Sequence, residues 1–285
     1  MTVRRRIDRI WDSQPTVEGA GVNLRRAIGH AEVKRLDPFL MLDDFHSADP
    51  GDYVAGFPFH PHRGMETVTY MISGAVEHQD SIGNKGVIES GDVQWMTAGS
   101  GILHQEMPRE YNGMLQGFQL WVNLPKAHKM MPPRYRDIKA RMIPISRPKD
   151  GIEVKVIAGK IDHAQGPIRD LVVDVEFFDI KLGPDLEFSH DVPSERNAFA
   201  YVFEGDGHFE EESDRKAHKE QVVLFTDGEE IWAHSGEGGI RFLFASGVPL
   251  KEPVAWRGPV VMNTQSELDQ AFDELRRGTF VKLTK

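Results

Sequence analysis

The apolar positions of this chain fall mostly in short runs, not in helical stripes. Thr67-Val68-Thr69-Tyr70-Met71-Ile72 is rich in β-branched and aromatic residues and stops at Ser73-Gly74. Val93-Gln94-Trp95-Met96-Thr97 follows the turn signal Gly91-Asp92, and Phe118-Gln119-Leu120-Trp121-Val122 follows Gly117. Glu153-Val154-Lys155-Val156-Ile157-Ala158 opens another run, and residues 171–182 are long enough for an extended or bent strand. Runs of this composition bounded by turn residues predict strands. Strands without intervening helices predict an all-β barrel or sandwich, not a βαβ fold.

Residues 125–150 differ in texture. Pro132-Pro133, Pro144 and Pro148 argue against an unbroken helix or a central strand and suit a connector between two β units. The predicted domains are therefore 1–135 and 136–285. A weak internal repeat supports duplication: Tyr70-Met71-Ile72-Ser73-Gly74 matches Tyr201-Val202-Phe203-Glu204-Gly205 in character, and residues 92–97 resemble 221–226. The C-terminus carries one clear helix, predicted over 265–277. Thr264-Gln265-Ser266-Glu267 is a capping-box pattern, and Leu268, Ala271, Phe272 and Leu275 make an i, i+3, i+4, i+7 stripe. Arg276 and Arg277 suit the negative end of the helix, and Gly278 can end it in a left-handed conformation.

Composition narrows the function classes. The chain has 285 residues, 40% hydrophobic and 27% charged, as expected of a globular protein with a sizeable core. Its net charge of −10 argues against nucleic-acid binding through general electrostatics, and Arg4-Arg5-Arg6 is too short to reverse that; it reads as a solvated first strand or arm. With no cysteine, disulfides, thiolate ligands and cysteine nucleophiles are excluded. No signal peptide pattern follows Met1 and no apolar run spans a bilayer, so the expected location is cytoplasmic, without membrane contact.

The candidate chemistry lies in the first half. His60 and His62, in Phe59-His60-Pro61-His62-Arg63-Gly64-Met65-Glu66, are spaced i,i+2, as are His104 and Glu106 in Gly99-Ser100-Gly101-Ile102-Leu103-His104-Gln105-Glu106. That spacing places each pair on one face of a strand. Two such strands side by side would offer three imidazoles and one carboxylate to a common point, a donor set for iron, manganese, nickel, copper or zinc. Glu66 would share the face of His62 if the strand continued, as a further ligand, an orienter of an imidazole or a solvated carboxylate. Arg63 suits an anionic substrate or a structural ion pair, and Gln116, Gln119 and His128 are further pocket candidates. Gly99 and Gly101 would let the backbone turn sharply to deliver His104 inward. Met65, Met71, Met96, Phe57, Phe59 and Trp95 supply a barrel core, with a subset available to line a cavity. In the second half, Asp191 and Pro193 stand where the repeat would place an HxH pair, so His190, His208, His218 and His234 read as structural.

Three stretches carry a family resemblance. Residues 60–70, residues 91–108 and the run Gln119-Leu120-Trp121-Val122-Asn123-Leu124-Pro125 resemble signatures of the pirin family within the cupin superfamily. The match is close over about residues 20–135 and looser beyond. This resemblance implies a bicupin: two facing jelly-roll β-barrels with a short C-terminal helix. It implies one iron ion, Fe2+ or Fe3+, in the N-terminal barrel on residues matching His60, His62, His104 and Glu106, other divalent transition metals remaining compatible, and a metal-free second barrel. It further implies quercetin 2,3-dioxygenase activity on a flavonol or related phenol with O2, Glu106 doubling as the catalytic base. The alternative it implies is a redox-responsive regulator acting through protein partners. The chain is read as a monomer.

Overall fold

The computed structural model describes residues 2–282 and is mostly strand, with one α-helix. Antiparallel pairing dominates the sheets, and the chain divides into two compact β units. The all-β expectation holds.

The first unit contains residues 15–35, 39–140 and the segment from Leu250 onward. It is built on a seven-stranded and a four-stranded sheet. The first orders as Arg134–Ile138, Val93–Thr97, Met65–Ser73, Leu115–Asn123, Phe39–Ser47, Val22–Ile28 and Gln14–Glu18; the second as Phe57–His62, Ile102–Pro108, Ala75–Asp80 and Lys85–Glu89. Val22, Phe45, Met71, Val76, Ile88 and Leu115 come from both sheets and form one buried cluster between them. The predicted runs at 67–72, 93–97 and 118–122 all lie in the seven-stranded sheet. The connector differs from expectation in one respect: Arg134–Ile138 is a strand paired with Val93–Thr97. Pro132 and Pro133 precede it, and it lies at the sheet edge, so neither proline removes a ladder hydrogen bond.

The second unit contains the N-terminal stretch to Gln14, residues 36–38 and residues 141–249. Its nine-stranded sheet encloses an apolar core that includes Val154, Val156, Phe178, Ile180, Phe242 and Phe244. The strand expected over 171–182 begins only at Val175.

The units thus depart from a simple division at 135/136. Ile7–Asp12 pairs antiparallel with Gln221–Phe225, burying Ile7 and Trp11 in the second unit. Arg5 is not a solvated arm: it is buried and donates to the carbonyls of Thr226 and Pro193 at 3.1 and 2.8 Å. At the other end, residues beyond Leu250 pack on the first unit, where Val260, Met262, Leu268, Ala271 and Phe280 form a buried cluster. Pairings across more than 200 residues leave no mark in local periodicity.

The helix is Gln265–Arg276, with Arg277 as its C-cap. Thr264 accepts from the Glu267 amide at 3.2 Å, and Glu267 accepts from the Thr264 amide at 2.8 Å, completing the capping box. Gly278 follows with φ +70°, the left-handed stop that was expected. Thr264→Ala leaves one of these amides without its side-chain partner, so it is expected to cost about 0.5–2 kcal/mol, read as a shift in urea midpoint.

Candidate metal centre

The site residues arrive on the four-stranded sheet of the first unit. His60 and His62 stand on Phe57–His62, and His104 and Glu106 on the adjacent Ile102–Pro108, with His104 directly opposite His60. The ladder shifts register between His104 and Glu106, which places Glu106 opposite Phe57. Gly99 helps to aim the second strand. Its φ of +51° is left-handed, and a Cβ there would stand 2.1 Å from the Met131 carbonyl oxygen, so only glycine fits without displacement.

The three imidazoles converge. Ring centroids lie 4.8 Å apart for His60 and His62, 4.4 Å for His60 and His104, and 4.8 Å for His62 and His104, with one nitrogen from each within 4.8 Å of the others. His62 and His104 are buried, and burial, with the neighbouring imidazoles as a smaller cause, pushes both well below the usual histidine value. They are therefore neutral near pH 7, which leaves each ring a free lone pair. His60 Nδ1 lies 2.9 Å from the Pro58 carbonyl, so Nε2 is its open nitrogen. His62 Nδ1 and His104 Nε2 are buried and have no hydrogen-bond partner. Buried nitrogens left unsatisfied cost free energy unless something meets them. Neutral imidazole nitrogens around one point fit a divalent first-row metal.

Glu106 stands beside this trio. Its carboxylate groups with His104 and His78 in a second cluster of three, with its oxygens accepting from Thr69 Oγ1 and Gln119 Nε2, each at 2.8 Å. Both donors come from the opposing seven-stranded sheet, where Thr69 and Gln119 are cross-strand neighbours. Among the described residues, both clusters of three or more convergent donor side chains lie in the first unit. In the second, His234 pairs with Asp185 at 2.9 Å and His190 with Glu176 at 3.3 Å.

His60, His62 and Glu106 open onto a cavity of about 900 Å³, walled by Met41, Phe45, Phe57, Trp121 and Trp256. Trp121 packs edge-on to His62 at 5.2 Å, and its buried Nε1–H has no partner. Across the floor, Asp43 forms a two-point pair with Arg26, both bonds at 2.8 Å, and Glu18 meets the same guanidinium at 2.9 Å. Burial pushes the Asp43 carboxyl up to about 6 against the pull of Arg26.

Other candidates find different places. Gln119 lines the cavity; Gln116 and His128 do not. Phe57 lines it, whereas Phe59 is half exposed and Met65, Met71, Met96 and Trp95 are core. Arg63 is buried, bonded to Glu274 at 2.7 Å and to the Phe280 carbonyl at 2.8 Å, with its guanidinium 4.1 Å over the Phe280 ring; it anchors the C-terminal segment. Glu66 does not share the His62 face. Gly64, at φ +78°, turns the chain between sheets, and a Cβ there would stand 1.9 Å from the Val261 carbonyl oxygen. Glu66 then lies on Met65–Ser73, accepting from Thr97 Oγ1 at 2.6 Å. Trp256 carried no signal, being supplied from a segment nearly 200 residues downstream of His60. His78 and Asp80 were detectable as another i,i+2 pair.

The chain resembles known proteins over both of its units. The family model described as Pirin matches residues 21–122, and that described as Pirin C-terminal cupin domain matches 177–281. A pirin-like protein of Caulobacter vibrioides is 43% identical over 281 residues, covering 97% of this chain and 99% of that protein. The crystal structure of a quercetin 2,3-dioxygenase from Acinetobacter baumannii superposes with a TM-score of 0.90 at 32% identity, covering 99% and 100% of the two chains. A bacterial pirin, YhhW of Escherichia coli, solved in complex with nickel(II), shares the fold at TM-score 0.65 and 22% identity, over 85% of this chain and 99% of that one. Two cupin units with both halves matched, and a full-length relative at this identity, lead to one conclusion: the chain is an all-β bicupin and belongs to the pirin family.

Proposed function

We propose that this protein is a metal-dependent dioxygenase that cleaves a flavonol such as quercetin, or a related phenol, with iron held by His60, His62, His104 and Glu106. The observation that carries this reading is the convergence of three imidazoles, two with buried and partnerless nitrogens, beside an aromatic cavity that His60 and His62 line. The relative of known structure named a quercetin 2,3-dioxygenase supports the reaction class. The metal, when bound, supplies a Lewis acid that polarises the phenolic oxygen and lowers its pKa. The chain's own residues supply the rest. Glu106, held through both oxygens by Thr69 and Gln119, keeps spare lone pairs to take the 3-hydroxyl proton. Met41, Phe45, Trp121 and Trp256 bound a space that suits a flat ring.

The test is anaerobic reconstitution of metal-free protein with Fe2+, and in parallel with Ni2+, Mn2+ and Co2+, followed by addition of quercetin and air. Oxygen consumption matched by carbon monoxide release is expected with at least one metal. No oxygen uptake with any metal across a panel of flavonols and simpler phenols would sink the assignment.

A further inference from the structure

Behind His104 lies a third i,i+2 pair, one that the proposed reaction does not use. His78 and Asp80 stand on Ala75–Asp80, which flanks the His104 strand on the side away from His60. The ladder sets Asp80 opposite His104 and His78 opposite Glu106, so His78 lies diagonal to His104 on the same face. His104 Nδ1 is 3.4 Å from His78 Nδ1, and His78 Nε2 is 3.4 Å from Asp80 Oδ2. All three side chains are buried.

The protons along this line can be assigned. Asp80 is surrounded by donors: the amides of Ile82 and Asn84 reach Oδ1 at 3.0 and 2.9 Å, and Asn84 Nδ2 reaches Oδ2 at 2.7 Å. A carboxylate held this way is an acceptor only, so His78 must present its Nε2–H to it. That leaves His78 Nδ1 as a bare lone pair, which demands a proton on His104 Nδ1. With that proton on Nδ1, the other ring nitrogen of His104, Nε2, is left to present its lone pair, and Nε2 is its buried, partnerless nitrogen. The reverse order would aim a His78 lone pair at the Asp80 charge. Tyr135 stacks on the His78 ring at 4.8 Å and 29°, which holds its plane.

We infer that Asp80 and His78 form a positioning relay that fixes the tautomer and direction of His104 and so sets the metal affinity of the site. The relay rests on the reading of His104 as a metal ligand. Outer partners of ligating histidines typically contribute 10–100-fold in metal affinity.

Four variants and two readouts test it. In metal-free protein, the ¹⁵N shifts of His104 report its tautomer; wild type is expected to show Nδ1–H alone. His78→Phe keeps the stack on Tyr135 and removes the acceptor, so a mixture of tautomers is expected. The same variant is expected to bind Co2+ about 10–100-fold more weakly in chelator competition. His78→Gln returns an acceptor oxygen towards His104 and is expected to recover most of that loss, which a purely packing role of His78 would not predict. Asp80→Asn is expected to weaken Co2+ binding less than His78→Phe and to shift the tautomer in the same sense. His104→Ala separates the two readings. If it abolishes Co2+ binding while His78→Phe binds as wild type with an unchanged tautomer, the relay is wrong and the metal centre stands. If His104→Ala itself binds as wild type, the metal centre fails and the relay with it. Equal weakening in His78→Phe and His78→Gln also overturns the relay.

Discussion

His104→Ala is expected to abolish metal retention and with it oxygen uptake. The ring is central to the trio, 4.4 Å from His60 and 4.8 Å from His62, and fully buried. Its removal leaves two imidazoles and one carboxylate, three donors in place of four, and takes away the ring that groups with both His60/His62 and Glu106. The loss should exceed the roughly 10–100-fold associated with an outer partner, and turnover should fall in proportion. Because burial keeps His104 neutral, its loss strands no buried charge, and the fold should survive at the cost of packing and of the His78 contact. Metal content after dialysis against a weak chelator, with a thermal melt alongside, checks both parts. Wild-type metal content would remove His104 from the site; loss of the fold would shift the test to His104→Gln, which preserves volume.

Arg26→Met is expected to destabilise the first unit by about 3–5 kcal/mol, the usual consequence of removing one partner from a buried pair. Asp43 is buried in the cavity floor, and the Arg26 fork is its two-point partner. The pH dependence has a definite sign. The folded carboxyl, at about 6, lies above an unfolded aspartate at roughly 3.9. Between those values the native state holds a proton that the unfolded state has released. The Asp43 contribution to stability therefore declines as pH rises from about 4 to about 6, and is flat above. Without Arg26 the buried carboxylate is costlier still, so the variant should lose more at pH 8 than at pH 5. Arg26→Met/Asp43→Asn should recover much of the difference, because no charge is then buried alone. Urea midpoints at the two pH values measure this. Equal midpoints for wild type and Arg26→Met at pH 8 would show that the pair does not stabilise the fold.

Much of this was legible in the chain, because it is written at short range. β-branched and aromatic composition with bounding turn residues marked the strands at 67–72, 93–97 and 118–122, and a capping box with a 3.6-residue stripe marked the helix. Two i,i+2 pairs marked the convergent histidines, since side chains on one strand face repeat every second residue. The strand at 134–138 was hidden behind two prolines that permit an edge strand while forbidding a central one.

The sequence by itself determined the strand class, the capped helix, and the four side chains able to form a nitrogen- and oxygen-rich site. Their spacing also separated the half with an HxH pair from the half without one. Only the tertiary structure decided that Ile7–Asp12 completes the far sheet, that Arg63 anchors the C-terminal segment, and that Glu66 leaves the site at Gly64. It alone set His78 and Asp80 behind His104, and brought Trp121, Trp256 and the Arg26–Asp43 pair around one cavity. The reason is physical. Local pattern records which face of its own strand a side chain occupies; which strand becomes its neighbour is fixed by burial and register summed over the whole barrel, between residues far apart in the chain.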